Sequence, residues 1–375
     1  MTGQIVALDH FAGTGWGVAL RSLGIREHGV ELMDEAVATR EAAGFDTVYR
    51  DVWDGLADRR IVPEHDLFIA SPPCQTFSVA GRGTGRLALD QVRELIEHAV
   101  WKDAAALRAA GSSLGDDRTS LVLTPLAHIW VHRPRLIALE QVPTVLPVWE
   151  AMSRVLRELG YSVWVGNLQA EQYGVPQTRK RAILMASLSG DVAPPTPTHS
   201  RYHSHDPQRL DTDVQKWVSM ADALGWEGFA AEKAMGRGMV ARHGDRPGRA
   251  AEDPAFTIRA SAGGMEPGGF RFRRRGLTDR PSPTITGGGT DTGGAEPIAK
   301  LARYTSLPSW EGDTRRLVPE EAAALQSYPI GFPFQGGKGK QFLQIGNAVP
   351  PLLAAAIISR LTAPQLEEVH DEHHQ

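Results

Sequence analysis

Between residues 5 and 188, short apolar runs alternate with helix-patterned stretches, and this alternation restricts the fold more than any other feature of the chain. Residues 5–8, 29–32, 66–70, 134–139, 162–168 and 181–186 read as strands. Between them, 18–23, 35–44, 91–110, 121–131 and 148–159 read as helices. Strand and helix in regular succession predict an α/β domain with a doubly wound, mostly parallel sheet, Rossmann-like, with helices on both faces. In such a sheet, ligand-binding groups lie at the carboxyl ends of the strands.

The texture changes after Leu188. Residues 190–314 are rich in Gly, Pro, Arg and Thr and carry few long apolar periods. Because Trp217, Trp226 and Trp310 need burial, this stretch reads as a second, smaller, loop-rich domain rather than a linker. The expected division is 1–189 plus 338–375 for the larger domain and 190–337 for the smaller. A short pattern occurs at 253–258 and again at 280–285, each copy followed by a Gly-rich turn, and predicts paired strands of one small sheet. Lys and Arg outnumber Asp and Glu from Lys233 to Arg280, most densely at Arg273-Arg274-Arg275, which favours a phosphate-contacting surface. Helical patterns return at 319–326 and 352–361.

Composition removes several classes. The chain is 42% hydrophobic and 22% charged, as in ordinary globular proteins. No apolar run is read as long enough to cross a membrane, and no basic leader precedes the first strand. A net charge of −4 argues against a wholly basic nucleic-acid coat protein, though not against a local basic face. Cys74 is the only cysteine, so neither an intrachain disulfide nor a cysteine-based zinc site can form, and a reducing cytoplasm is expected. The three histidines of the 370–375 tail read as solvated, and no metal is expected.

A lone thiol is most often a small buried hydrophobe. Cys74, however, follows two prolines at the end of the 66–70 strand and precedes a polar, Gly-rich stretch, which favours an exposed, rigid turn. After the first strand, Phe11-Ala12-Gly13-Thr14-Gly15 provides a tight turn where backbone N–H groups approach a ligand. Glu31 supplies a ribose-hydroxyl acceptor and Asp51 an acceptor for an adenine amino group, so an adenosine-containing cofactor fits. The nicotinamide fingerprint does not, since Val18 stands where its third glycine belongs. Glu140 ends a strand and is a candidate acid, or a surface Glu near a turn. Gln177, Arg179 and Arg181 fall on one side of an extended strand by its period of two, or mark an ordinary basic edge.

The order of these motifs resembles the C5-cytosine DNA methyltransferases of bacteria and their phages. Phe11-x-Gly13-x-Gly15, Pro73-Cys74-Gln75, Glu140-x-Val142, Gln177-x-Arg179-x-Arg181, a variable segment and Gly346-Asn347-Ala348-Val349-Pro350 stand in the family's sequence. Arg316 to Glu321 with Leu325-Gln326 is similar to its penultimate block. Gln141 replaces the family's usual Asn, Trp16 stands where a second glycine is usual, and residues 82–116 exceed the compact members and predict an inserted helix.

The resemblance implies the S-adenosylmethionine-dependent methyltransferase fold and a covalent mechanism. Cys74 is implied as nucleophile toward C6 of a flipped cytosine and S-adenosylmethionine as methyl donor, with Arg181 favouring the thiolate. Glu140 holds the base's N3 and amino group, and Arg179 and Arg181 orient its O2 side and the cysteine loop. Phe11, Gly13, Gly15, Glu31, Leu32, Asp51 and Val52, joined by Asn347 and Val349, are implied to line the cofactor site. Gln75, Ser78, Gln177, Arg273, Arg274 and Arg275 are implied to meet DNA, while the stretch 76–86 closes over the flipped base. The partner implied is double-stranded DNA, bound by a monomer at no membrane, with a cognate restriction endonuclease acting separately. An RNA cytosine methyltransferase is the alternative enzyme, although the tRNA-acting branch carries a short variable domain. A catalytically silent DNA-binding regulator is the alternative outside enzymes.

Overall fold

The computed structural model describes residues 4–73, 83–113, 117–206, 208–225, 229–233, 249–250, 253–255, 258, 270–274 and 314–371. Cys74, Gln75, Ser78, Arg275, Trp226, Trp310 and the 280–285 repeat lie outside them. Strands β1 (Val6–His10), β2 (Arg26–Val30), β3 (Thr47–Tyr49), β4 (Leu67–Ala70), β5 (Leu136–Gln141), β6 (Ser162–Gln169) and β7 (Lys180–Ser187) form one sheet. Their order is β3-β2-β1-β4-β5-β7-β6. The five strands from β3 to β5 run parallel, whereas β7 is antiparallel to both β5 and β6. The expected doubly wound, mostly parallel sheet is therefore present, with an antiparallel edge.

Alternating side chains explain why the central strands read as unbroken apolar runs. On one face, Leu8, Phe68, Ile137, Leu139 and Leu184 pack with Val92, Ile96, Leu107, Ile129, Met152 and Leu156. These belong to α4 (Gly83–Glu97), α5 (Ala104–Ser113), α6 (Thr124–His132) and α7 (Leu146–Glu158). On the other face, Ala7, Leu67, Ile69, Ala138 and Ile183 meet α1 (Gly15–Ser22) and α11 (Pro351–Asp371) through Trp16, Leu20, Leu353 and Ile357. Two more helices, α2 (Asp34–Ala42) and α3 (Val52–Ala57), follow β2 and β3.

A third apolar cluster joins α8 (Met220–Leu224), α9 (Pro319–Leu325) and α10 (Lys338–Asn347) to Ala255 and Ile258. A separate antiparallel sheet, in the order β11-β10-β8-β9, contains β8 (Phe229–Lys233), β9 (Arg249–Ala250), β10 (Phe270–Arg274) and β11 (Thr314–Arg316). The helical stretch Lys338–Ala363 is, by length and composition, apolar enough to cross a bilayer, contrary to the reading of the sequence. Its apolar residues serve the protein core instead, and 61% of that apolar window is buried.

The structure corrects several other expectations. The single helix expected over 91–110 is two helices: Ala99 turns left-handed at φ 54° and Asp103 caps a new start, accepting from the N–H groups of Ala105 and Ala106. The helix expected from 121 begins at Thr124, with Pro125 in its first turn and a 3₁₀ turn ahead of it. None of the described residues of the 253–258 repeat belongs to the small sheet. Ala255 instead bridges Gln177, donating its N–H to Pro176 at 2.8 Å and accepting from Thr178 at 2.9 Å.

Four histidines converge beneath the sheet. His128 stacks on Phe68 at 4.2 Å and on His132 at 4.4 Å, meets His10 edge-on at 4.8 Å, and places Nε2 3.0 Å from Nε2 of His65. His10 and His128 are wholly buried. Burial lowers all four pKa values from 6.5, and repulsion from neighbouring histidines adds to it at His10, His128 and His132, taking His10 to about 3 and His132 to about 4. Neutral imidazoles of this kind support the fold fully above the unfolded pKa near 6.5, and their contribution drains as pH falls toward the folded values. We expect the unfolding temperature to fall steadily on acidification from neutrality, and His128→Phe to flatten that fall. Calorimetry across a pH series checks this, and an unchanged slope in the variant would exclude the stack as the cause.

Candidate active site

The parallel strands β1 to β5 all deliver their carboxyl ends to one edge, and β7, running the other way, begins there. That edge therefore collects Phe11, Glu31, Asp51, the Ser71-Pro72-Pro73 segment, Glu140 and Arg181. All of them line one cavity of about 650 Å³.

The turn after β1 is fixed almost residue by residue. Phe11 is left-handed at φ 60°, a strained conformation for an aromatic residue. Ala12 donates its N–H to Val30 at 3.0 Å. Gly13 gives its N–H to Glu31 Oε2 at 2.9 Å, and its carbonyl accepts from Arg40 Nη1 at 2.9 Å. The Thr14 hydroxyl lies 2.9 Å from that of Tyr328. A Cβ built on Gly15 would overlap the Val349 carbonyl oxygen. Trp16 is buried and donates from its indole to Ser71 Oγ at 3.0 Å, so this departure from the usual glycine links the turn to the segment leading into Cys74.

Below the turn lies a buried ionic group. Arg40, wholly inaccessible, pairs with Glu27 at 2.9 Å and also donates to Thr47 Oγ1 and the Asp46 carbonyl. Gly29 makes room for it, because a Cβ there would overlap the guanidinium. Asp9 is buried beside this pair, and desolvation, then the charge of Glu27, raises its pKa well above the usual carboxylate range.

At the other end of the cavity, Arg181 Nε donates to Glu140 Oε1 at 2.8 Å, with both side chains largely buried. Gln141 donates from its amide to the Pro72 carbonyl and accepts from the Val142 N–H. The glutamine in place of asparagine therefore ties β5 to the loop that carries the cysteine. Glu140, Gln141, Arg181, Pro72 and Pro73 all face the cavity.

Gln177 and Arg179 sit elsewhere. The sequence period places them with Arg181 on one strand face, but β7 begins only at Lys180. Gln177 is fully buried; it donates to the Leu325 carbonyl and Gln326 Oε1 and accepts from the Ile258 N–H at 3.0 Å. Arg179 is 1% exposed and donates to the carbonyls of Gly346 and Ala348, each at 2.9 Å, and of Ile258 at 3.2 Å. In this structure, Gln177 thus contacts protein rather than offering a DNA surface, and Arg179 is absent from the cavity lining. Arg273 and Arg274 belong to β10, and Arg275 lies outside the described residues.

The expected cofactor residues Phe11, Gly13, Gly15, Glu31, Leu32, Asp51, Val52, Asn347 and Val349 all line the cavity. Its volume lies in the range of small-molecule sites, and Gly13 adjoins open space. Glu31 receives the Gly13 and Met33 N–H groups, one on each oxygen, which leaves acceptor capacity for hydroxyls. Asp51 caps α3 through one oxygen. Carboxylates at Glu31, Asp51 and Glu140 suit a ligand that is cationic and rich in donors. Sequence reasoning missed Trp53, whose only signal is proximity to Asp51; Arg108 and Ser112, which belong to the inserted segment; and Ser120, which carried no signal. Among the described residues, no cluster of His, Cys, Asp and Glu is arranged to hold a metal.

The family described as C-5 cytosine-specific DNA methylase matches residues 11–96 and 109–363. The chain is 29% identical over 299 residues to Type II methyltransferase M1.HphI of Haemophilus parahaemolyticus, covering 78% of this chain and 67% of that protein. It is 26% identical over 371 residues to Type II methyltransferase M.AplI of Arthrospira platensis, covering 94% and 84%. Among solved structures, the S. pombe Dnmt2 methyltransferase superposes with a TM-score of 0.59 at 14% identity, covering 96% of this chain and 99% of that one. That likeness concerns the fold.

Gly15→Ala should lower the unfolding temperature by several degrees, because backbone must move away from Val349. Gly339→Ala, at a position in α10 facing open space, serves as the control and should hold or raise it. Equal stability of the two variants would mean that the packing of Gly15 on Val349 is not tight.

Proposed function

Because the chain belongs to the C-5 cytosine-specific DNA methylases, we propose that it transfers a methyl group from S-adenosylmethionine to C5 of a cytosine flipped out of a specific duplex sequence. The observation that supports this best is that the Glu140–Arg181 ion pair opens into the same cavity as Glu31, Asp51 and the Pro72-Pro73 segment preceding Cys74. Base and cofactor thereby have adjoining places. Extrusion of the base costs a few kcal/mol and is what exposes C6 to a side chain.

C5 of cytosine is a poor nucleophile. In the proposed reaction, the Cys74 thiolate forms a bond to C6, which makes C5 enamine-like. Glu140, in its acid form, holds the N3 and amino edge of the base, donates its proton to N3 as negative charge develops there, and takes it back when the adduct breaks down. Arg181, paired with Glu140, fixes that carboxyl group and favours thiolate over thiol nearby. S-adenosylmethionine, when bound, supplies an electrophilic methyl group on a sulfonium. Glu31 would hold its ribose hydroxyls, and Asp51 its adenine amine. After transfer, C5 loses its proton to solvent and the C6–S bond breaks, returning Cys74 as thiolate. Arg179 acts through its hold on the Gly346 and Ala348 carbonyls, which places Asn347 and Val349 at the cavity.

The same reading divides the chain into a catalytic and cofactor-binding part, 1–189 with 338–375, and a target-recognition part, 190–337, with DNA between them. Gln75, Ser78, Arg273, Arg274 and Arg275 would meet that DNA, arginines at phosphates and guanine edges. A monomeric, cytoplasmic enzyme protecting DNA from a separately acting restriction endonuclease completes the proposal.

Incubation with labelled S-adenosylmethionine should label duplex DNA and not tRNA. Cys74→Ala should abolish labelling, and Glu140→Gln should reduce it by about 100-fold or more. A duplex carrying 5-fluorocytosine at the target should form a denaturation-resistant adduct with the wild-type protein. Full activity of Cys74→Ala refutes the mechanism, preferential labelling of tRNA supports the RNA alternative, and DNA binding without methylation supports a silent regulator.

A further inference from the structure

Helix α5 forms one wall of the cofactor cavity, through Arg108 and Ser112. Residues 97–108 fall between the two stretches that match the family, so Arg108 reaches the site from a segment outside the family's common pattern. The helix is firmly seated: Asp103 caps its start, and Leu107, next to Arg108, is wholly buried in the main core. Arg108 itself is exposed on the cavity side. Its guanidinium carbon lies 5.6 Å from the centre of the Trp53 ring, and the Trp53 backbone N–H donates to Asp51 Oδ1 at 3.0 Å.

Three arginines line this cavity, and two are already engaged. Arg50 pairs with Asp34 and donates to the carbonyls of Glu31 and Leu32, while Arg181 pairs with Glu140. Arg108 has no ion pair among the described residues, and its recorded contact is with Trp53. The cavity's three carboxylates, Glu31, Asp51 and Glu140, offer acceptors. Adenine presents acceptors as well as an amine, and its ring nitrogens need a donor. A guanidinium near the face of an indole supplies one.

We propose that Arg108 is an additional cofactor-binding residue, donating to the ring nitrogens of the adenine from its place near Trp53 and Asp51. The assignment rests on the S-adenosylmethionine reading above. It makes the inserted segment part of the ligand site rather than an ornament of the surface.

Titration calorimetry of S-adenosylhomocysteine into the full chain, without DNA, tests it. Arg108→Ala should weaken binding about tenfold, and Arg108→Lys, which keeps the charge but not the planar fork, should recover only part of the loss. The KM for S-adenosylmethionine should rise with that Kd, while kcat and duplex affinity stay constant. Unfolding temperatures should match wild type, since the side chain is exposed. Equal affinity of the wild-type and Arg108→Ala proteins for S-adenosylhomocysteine overturns the proposal. So does weakened duplex binding at unchanged cofactor affinity, which would make Arg108 a phosphate contact. Failure of the wild-type protein to bind S-adenosylhomocysteine would instead overturn the underlying cofactor reading.

Discussion

The site depends on the hold that two charged groups have on Gly13. Its N–H is taken by Glu31 from the end of β2, and its carbonyl by Arg40 from within α2. Removing a guanidinium from water costs several kcal/mol, which only good geometry and further acceptors offset. Arg40 has both, in Glu27, Thr47 and the Asp46 carbonyl. Breaking one contact therefore leaves a buried charge underpaired, so the turn is held in one conformation. Its rigidity comes from below, since Gly13 itself imposes little restriction.

A second knot connects parts of the chain far apart in sequence. Gln177 and Arg179 spend their polar groups on backbone atoms of Ile258, Leu325, Gly346 and Ala348. Gln326 adds a bond to the Ala348 carbonyl at 2.7 Å. A cation surrounded by carbonyl oxygens tolerates burial because each acceptor replaces a lost water. The result is that Val349 meets Gly15 with no room for a side chain between them.

Much of this was legible in the sequence. The central strands were, because burial on both faces demands the apolar runs at 67–70 and 136–139. The cavity residues from Phe11 to Val349 were legible as motif positions at strand ends. β3 was not: it is three residues long and Val48 at its centre is exposed, so no apolar pattern marks it. α10 was hidden by its glycines and lysines, since only Phe342 and Ile345 carry its burial into the third cluster. Gln177 and Arg179 were recognisable as a motif, yet strand periodicity misplaced them because their segment precedes the strand. Arg40 carried no local sign at all, for its partners come from three separate stretches of chain.

The packing of α11 against α1 has a consequence for how the protein comes into being. Leu353, Ile357, Ile358 and Leu361 are each worth roughly 1.5–3 kcal/mol of burial, and their counterparts Trp16 and Leu20 emerge from the ribosome more than three hundred residues earlier. Until synthesis nears residue 361, the nascent polypeptide must keep that apolar groove without its cover. Competence is thereby tied to translation through Leu361, and a product terminated before it would be a substrate for chaperones and proteases before it could ever be an enzyme.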